Sequence, residues 1–278
     1  MSVPELPEVE TTRRGLEPWV EGQCLSGWKV RNPALRWPVQ IPSGLRDERL
    51  TTLSRRAKYL LFEFPSGRLI VHLGMSGSLR LVAPGEEPRK HDHVDLCFGP
   101  NVVVRLNDPR RFGCVLWWPR EDASHRLLAN LGVEPLSEAF VAPYLKKTAR
   151  KRKLAVKNYI MDSRVVVGVG NIYAAEALFL AGIRPTVPAG RVTLKGYELL
   201  VLAIKGVLTN AVEVGGTTLR DFVGSDGKPG YFQQQLNVYG RAGKACRRCA
   251  CVLKNQRLGQ RATVFCPKCQ RRQGFGRA

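Results

Sequence analysis

From residue 25 onward, short apolar stretches recur, each bounded by turn residues. Leu25–Val30, Tyr59–Phe64, Arg68–Leu73, Val94–Phe98, Val102–Leu106 and Cys114–Trp118 are rich in branched and aromatic side chains, which suit a half-buried pleated surface. Pro65-Ser66-Gly67 and Gly99-Pro100-Asn101 punctuate them and mark tight turns. The pattern predicts an antiparallel sandwich or barrel. Ahead of it, Leu6, Val9 and Leu16 share one face of a predicted helix from Pro7 to about Glu17, which Pro18 and Gly22 should close. The period changes near Gly132–Pro135 and is helical from Ser137 to about Leu208. Two helical stretches flank Gly168-Val169-Gly170-Asn171. The glycines let the chain turn, Asn171 is expected to cap a helix starting at Ile172, and Gly182 to end it. A polar loop at Ser225–Gly230 and a cysteine-rich hairpin follow, with no internal repeat. The predicted class is α+β multidomain: an antiparallel β-sandwich with an N-terminal helix, a helical domain, then the hairpin.

The hairpin adds chemistry. Of eight cysteines, Cys24, Cys97 and Cys114 sit among apolar neighbours and read as small buried thiols. Cys246-x2-Cys249 and Cys266-x2-Cys269 have the spacing of a zinc ribbon. Two residues between ligands let one turn aim both thiolates at a single ion, and two such turns complete a tetrahedron. Four thiolates leave no open position, so one structural Zn2+ is expected. Cys251 is out of phase with the turn and is left out of the set. Disulfides are the competing pairing, disfavoured in a reducing compartment.

Charge narrows the partner. The 278 residues carry 44 Lys and Arg against 23 Asp and Glu, a net +21, with 44% apolar residues to build a core. Such an excess points to a polyanion: DNA, RNA or an acidic membrane surface. Arg241–Ala278 holds eleven basic residues and no acidic one, and Lys146–Lys157 holds seven in twelve. Two such runs, one beside a metal motif, suggest phosphate contact rather than solvated faces alone. No apolar run reaches 18 residues, so no spanning helix and no membrane partner are expected. Glu5, Glu8 and Glu10 near the start argue against a secretion signal, and a cytoplasmic, nucleoid-associated monomer is expected. Gly168-Val169-Gly170 before a helix has a nucleotide-site look, but no third glycine comes in phase; the helix N-terminus can still meet a phosphate.

The chain carries, in order, Pro4-Glu5-Leu6-Pro7-Glu8-Val9-Glu10-Thr11, Arg56-Ala57-Lys58-Tyr59-Leu60-Leu61, His72-Leu73-Gly74-Met75-Ser76-Gly77 and Lys90-His91-Asp92-His93. Asp108-Pro109-Arg110-Arg111-Phe112-Gly113, Gly168–Tyr173, Ser225–Tyr231 and the ribbon with Gln260-Arg261-Ala262-Thr263 follow. Together these motifs resemble the bacterial formamidopyrimidine-DNA glycosylase family, within the wider group that includes endonuclease VIII. The resemblance runs to Gln270, leaving Arg271–Ala278 as a basic extension. The resemblance implies a catalytic β-sandwich over residues 1–133, a helix–two-turn–helix DNA-binding domain with a lesion-recognition loop over 134–230, and a four-cysteine zinc finger with basic tail over 231–278. The implied activity is base-excision repair: removal of 8-oxoguanine and formamidopyrimidines from duplex DNA, then strand cleavage by β- and δ-elimination at the abasic site.

The implied roles suit the residue types. An enzyme acting on a base must swing it out of the stack. Met75 and Phe112 would replace the lost stacking, and the Arg110 guanidinium would bond the orphaned cytosine. By resemblance Pro4 is the nucleophile, its secondary amine attacking C1′ to form an iminium; an α-amine, with a pKa of ~8, is more often unprotonated at neutral pH than a lysine. Glu5 is the implied acid–base partner, Lys58 the proton donor and phosphate contact, and Arg261 the phosphate grip for δ-elimination. His72, His91, Arg152, Asn171, Lys228 and Tyr239 match backbone or lesion-loop contacts. His91 and His93 also look like a metal pair, against which the complete cysteine set argues.

One feature departs from the family, whose members begin Met-Pro. Here Met1-Ser2-Val3 precede Pro4, whose nitrogen is then an amide without a nucleophilic lone pair. The expectation is that Val3 is the true initiator, read from a GTG codon, so that removal of the initiating methionine exposes Pro4. The alternatives are a non-catalytic lesion- or abasic-site-binding homologue with a blocked N-terminus, and a zinc-ribbon RNA binder. The last explains the charge and cysteines but not Pro4–Thr11, Met75 or Phe112.

Overall fold

The structure is a computed structural model and describes residues 4–215 and 236–271. Lys228, the Ser225–Tyr231 loop, Met1–Val3 and the tail from residue 272 lie outside the described residues. The described residues form two compact units, one of residues 4–129 with 214–215 and one of residues 130–213 with 236–271.

In the first unit, helix α1 (Leu6–Val20) precedes eight strands: β1 (Leu25–Val30), β2 (Thr52–Arg56), β3 (Tyr59–Phe64), β4 (Gly67–His72), β5 (Ser78–Val82), β6 (Asp92–Phe98), β7 (Val102–Asn107) and β8 (Cys114–Pro119). They make two antiparallel sheets, ordered β1-β6-β7-β5 and β2-β3-β4-β8. The core lies between them: Leu60, Phe62, Leu69, Val71 and Val115 from one sheet, Val94, Leu96, Phe98, Val104 and Leu106 from the other, with Val9, Leu16 and Val20 of α1. The alternate residues Leu61, Ile70, Cys114 and Leu116 form a second apolar cluster. A sheet buried on both faces needs apolar residues at every position, which is why these segments read as continuous runs.

The other sheet carries charge where that one carries methyl groups. Asp95 accepts from Arg31 and Arg105, two bonds from each, and Asp92 accepts two from Arg80 and one from Asn107. Burial alone would raise both carboxyls, but these guanidinium groups hold them below the usual carboxylate range.

Helix α1 runs past Pro18 to Val20, a correction to the expected stop. A proline in the last turn forfeits a single hydrogen bond; Glu21 N–H still reaches Glu17 O at 3.1 Å, and Gly22, at φ +75°, takes the left-handed turn. The sandwich contains two strands that the apolar pattern does not announce, β2 and β5.

The second unit contains α2 (Ala142–Thr148), α3 (Val156–Ile160), α4 (Asn171–Leu180), α5 (Leu194–Glu213) and the hairpin β9 (Lys254–Leu258) with β10 (Arg261–Phe265). The cap of α4 is Gly170, not Asn171. Asn171 is the first helical residue, and its Oδ1 accepts from Lys157 Nζ at 2.6 Å. Gly182 closes α4 as expected, at φ +69°. Arg271 is tied down too: its N–H donates to Gly182 O.

Candidate active site and nucleic-acid interface

In the first unit the site grows from the start of α1 and two tight loops. Glu5 is the N-cap of α1 and 1% exposed. Its backbone N–H donates to Glu8 Oε2 at 2.9 Å in a capping box, which fixes the entry angle of the chain and hence of buried Pro4 before it. Lys58 rides on the two-residue turn between β2 and β3, where Arg56 pairs with Tyr59 and Ala57 has φ +57°. Arg55 braces that turn. It donates to Ala57 O at 2.8 Å and to Glu10 Oε2 at 2.9 Å, so the helix that begins at Glu5 and the turn that carries Lys58 are bridged through Glu10. Burial would raise the Glu10 carboxyl, but Arg13 and Arg55 hold it below the ordinary range.

His72 ends β4 with its ring 4.8 Å from that of Tyr59. Its Nδ1 accepts the Gly74 N–H at 3.0 Å. Burial, helped by the nearby positive charges of Lys58 and Arg36, pulls its pKa down to about 4. The imidazole is therefore neutral at physiological pH, with its proton on Nε2, a donor fit for a phosphate oxygen. Cys114 pairs with His72 across β8 and β4, and burial pushes its thiol up to about 12. Cys24 and Cys97, expected to be buried, are only partly so.

Met75 stands on the loop between β4 and β5, Arg110 and Phe112 on the loop between β7 and β8. Phe112 is 43% exposed, and the Arg110 guanidinium lies 5.2 Å from its ring centroid. His91 sits in a turn at φ +74°. Its ring centroid lies 6.2 Å from that of His93, whose Nε2 bonds Asp108 O at 2.9 Å.

In the second unit, Arg261 is exposed at the start of β10, just past the Gly259-Gln260 turn. Arg152 is exposed, with its guanidinium 5.5 Å from the Tyr159 ring centroid. Tyr239 is held by α4: buried Glu176 accepts the N–H groups of Asn237, Val238 and Tyr239 at 2.8–2.9 Å and the Asn237 amide at 3.0 Å. The basic run Lys146–Lys157 is not all exposed. Lys157 is 1% exposed, and its ammonium donates to Asn171 Oδ1, Ala262 O and Thr263 Oγ1. It fastens α3 to α4 and to the strand that carries Arg261.

The cysteines fit a zinc ion. The Sγ atoms of Cys246, Cys249, Cys266 and Cys269 all lie within 4.8 Å of one another. The pairs Cys246–Cys269 and Cys249–Cys266 are 3.9 and 3.5 Å apart. That is far beyond the ~2.05 Å of a disulfide and close to the ~3.8 Å edge of a tetrahedron with ~2.3 Å Zn–S bonds. Cys251 stands outside this group, which is the one such cluster among the described residues. No helix of the described residues is long and apolar enough to cross a membrane.

A β-sandwich with its candidate site residues at a helix start and on turns, followed by a helical unit bearing a four-cysteine ribbon, defines a zinc-ribbon, helix–two-turn–helix class of DNA enzyme. The family models for the formamidopyrimidine-DNA glycosylase N-terminal domain and H2TH domain match residues 3–115 and 131–223. The chain is 57% identical over 274 residues to a formamidopyrimidine-DNA glycosylase of Magnetococcus marinus, covering 97% of this chain and 100% of the relative. It is 55% identical to one of Saccharophagus degradans, with the same coverage. Among solved structures, the MutM (Fpg) protein of Thermus thermophilus aligns with a TM-score of 0.87 at 40% identity, covering 96% of this chain and 98% of that one. The Lactococcus lactis Fpg in complex with abasic-site DNA aligns with a TM-score of 0.88 at 33% identity, covering 96% and 99%. The chain belongs to the formamidopyrimidine-DNA glycosylase family.

Proposed function

We propose that this chain excises oxidised purines, 8-oxoguanine and formamidopyrimidines, from duplex DNA and cleaves the resulting abasic site. The observation that carries the reading is the brace from α1 through Glu10 and Arg55 to the Lys58 turn, next to a neutral His72. It joins the end of the chain that would supply a nucleophilic amine to a turn that supplies a cation. Pro4 attacks C1′ as the base leaves with a proton delivered at the site; the amine loses its proton, the C1′–O4′ bond opens with O4′ protonated, and the resulting iminium withdraws electrons so that the C2′ proton can be lost and the 3′-phosphate expelled. Glu5 exchanges protons there, Lys58 supplies one and meets a phosphate, and Arg261 grips the phosphate released in δ-elimination. Met75, Arg110 and Phe112 fill the gap left by the flipped nucleotide. His72, His91, Arg152, Asn171 and Tyr239 contact the DNA backbone or the lesion loop, to which Lys228 is also assigned. Zinc, held by Cys246, Cys249, Cys266 and Cys269, supplies structure rather than reactivity.

The reading divides the chain at residues 133 and 230 into catalytic sandwich, helix–two-turn–helix domain and zinc finger, acting on nucleoid DNA. It also requires a free Pro4 amine, which a start at Val3 with loss of the initiating methionine would expose; the family match begins at residue 3. Borohydride trapping on 8-oxoguanine duplex, with intact-mass analysis of the same protein, tests the proposal. A covalent adduct is expected from chains whose mass begins at Pro4. Chains that retain Ser2 and Val3 and still trap would overturn the Pro4 assignment, and a Pro4-initiated chain that never traps would leave only the lesion-binding reading.

A further inference from the structure

Two loops carry the three side chains assigned to the DNA gap: residues 73–77 carry Met75, and residues 108–113 carry Arg110 and Phe112. They meet backbone to backbone. A Cβ on Gly74 would stand 2.5 Å from Phe112 C and from Gly113 N, and one on Gly113 would stand 2.6 Å from His72 O. At the join lies Asp108, wholly buried at 0% exposure. Its Oδ2 accepts the Gly113 N–H at 2.7 Å. Its Oδ1 accepts the Arg110 N–H and the Ser76 hydroxyl, each at 3.3 Å. Its backbone N–H donates to His91 O at 3.0 Å, and its carbonyl accepts from His93 Nε2 at 2.9 Å.

We propose that Asp108 is a positioning residue for lesion extrusion, locking the Met75 loop, the Arg110–Phe112 loop and the His91 turn into one rigid wedge. The proposal rests on the reading that Met75, Arg110 and Phe112 enter the duplex. Gap filling needs these side chains to arrive together, and a shared buried acceptor removes the independent motion that would otherwise be frozen on binding. Only a carboxylate serves. Both oxygens face donors, so an amide of the same shape presents its NH2 to the Gly113 N–H in one orientation and to the Arg110 N–H in the other. Ser76 adds the bond between the loops.

The test uses Asp108→Asn and Ser76→Ala in the full chain. Three quantities are read: single-turnover excision of 8-oxoguanine from duplex, 2-aminopurine fluorescence beside the lesion as the signal of extrusion, and cleavage of a preformed abasic site in single-stranded DNA, where no partner strand leaves a gap. Losing one or two hydrogen bonds of this kind should slow extrusion and duplex excision about tenfold in Asp108→Asn and about threefold in Ser76→Ala. Single-strand cleavage should stay within about twofold of wild type, a separation that a general loss of folding cannot produce. Unchanged extrusion in Ser76→Ala, or single-strand cleavage falling as far as duplex excision, would overturn the proposal. Wild-type protein that extrudes the base normally yet never excises it would sink the catalytic reading instead, and leave the Asp108 role to be judged on fluorescence.

Discussion

At the scale of single residues, the site is governed by what burial does to ionisable groups. His72 is the clearest case. Its folded pKa of about 4 lies below the ordinary value of 6.5, so in acid the unfolded chain binds a proton that the folded chain refuses. Stability from this group is complete above pH 6.5 and is lost as pH falls from there toward 4. Between pH 7 and pH 4.5 the loss should be about 2–3 kcal/mol. Urea midpoints of wild type and His72→Gln at the two pH values check it: the variant should lose distinctly less. The carboxyls of Glu10, Asp92 and Asp95, held low by their arginines, act in a separate and more acid window. Their contribution is present above the ordinary carboxylate pKa and disappears as pH falls through the depressed folded values. Little of this is visible in sequence. A histidine in an apolar run signals neither the N–H that donates to its ring lone pair nor the two cations beside it. Lys157 and Arg152 stand in the same basic run, yet one is buried and the other exposed.

At the scale of elements, segments that bury one or both faces were legible. β1 and β3 coincide with the runs read from the chain, and β4, β6, β7 and β8 differ by one or two residues. β2 was not legible because Thr52-Leu53-Ser54-Arg55-Arg56 is mostly polar: Ser54 bonds Glu63 and Arg55 bonds Glu10, so its side chains answer to partners rather than to a core. β5 was not legible because Ser78-Leu79-Arg80-Leu81-Val82 sets a charge in mid-strand, and Arg80 is buried through its pair with Asp92. The zinc ligands were legible because their geometry is local. Asp108 and Glu176 were not singled out, because an acceptor for distant backbone groups leaves no spacing signal. Glu176→Ala would strip the N–H groups of residues 237, 238 and 239 of a buried acceptor. Unsatisfied buried donors are costly, so about 3 kcal/mol of destabilisation is expected, checked by thermal unfolding. Glu176→Gln, which keeps one acceptor oxygen, should lose less.

At the scale of the whole molecule, the excess of 21 positive charges makes affinity for DNA a function of salt. Each neutralised phosphate contributes a slope near 0.9 in log K against log salt. Arg261 belongs to a hairpin whose base packs through Val264 and Cys266 against Phe179 and Val238, a small core that needs its metal. Removing zinc with a chelator should weaken binding to lesion duplex by about tenfold or more at fixed salt and lower the salt slope by about 1 or more, since phosphate contacts go with the hairpin. Titration at several salt concentrations, with and without chelator, measures both. An unchanged slope would mean that the ribbon contributes no phosphate contact.

The buried thiol across from His72 has a consequence for an enzyme that works where guanines are being oxidised. With the Cys114 pKa at about 12, the sulfur anion makes up on the order of one part in 100,000 at neutral pH. Peroxide attacks that anion and not the protonated sulfur. The strand paired with His72 therefore offers peroxide almost no sulfur anion at Cys114, and that stretch of the sheet is spared the stress that creates the substrate.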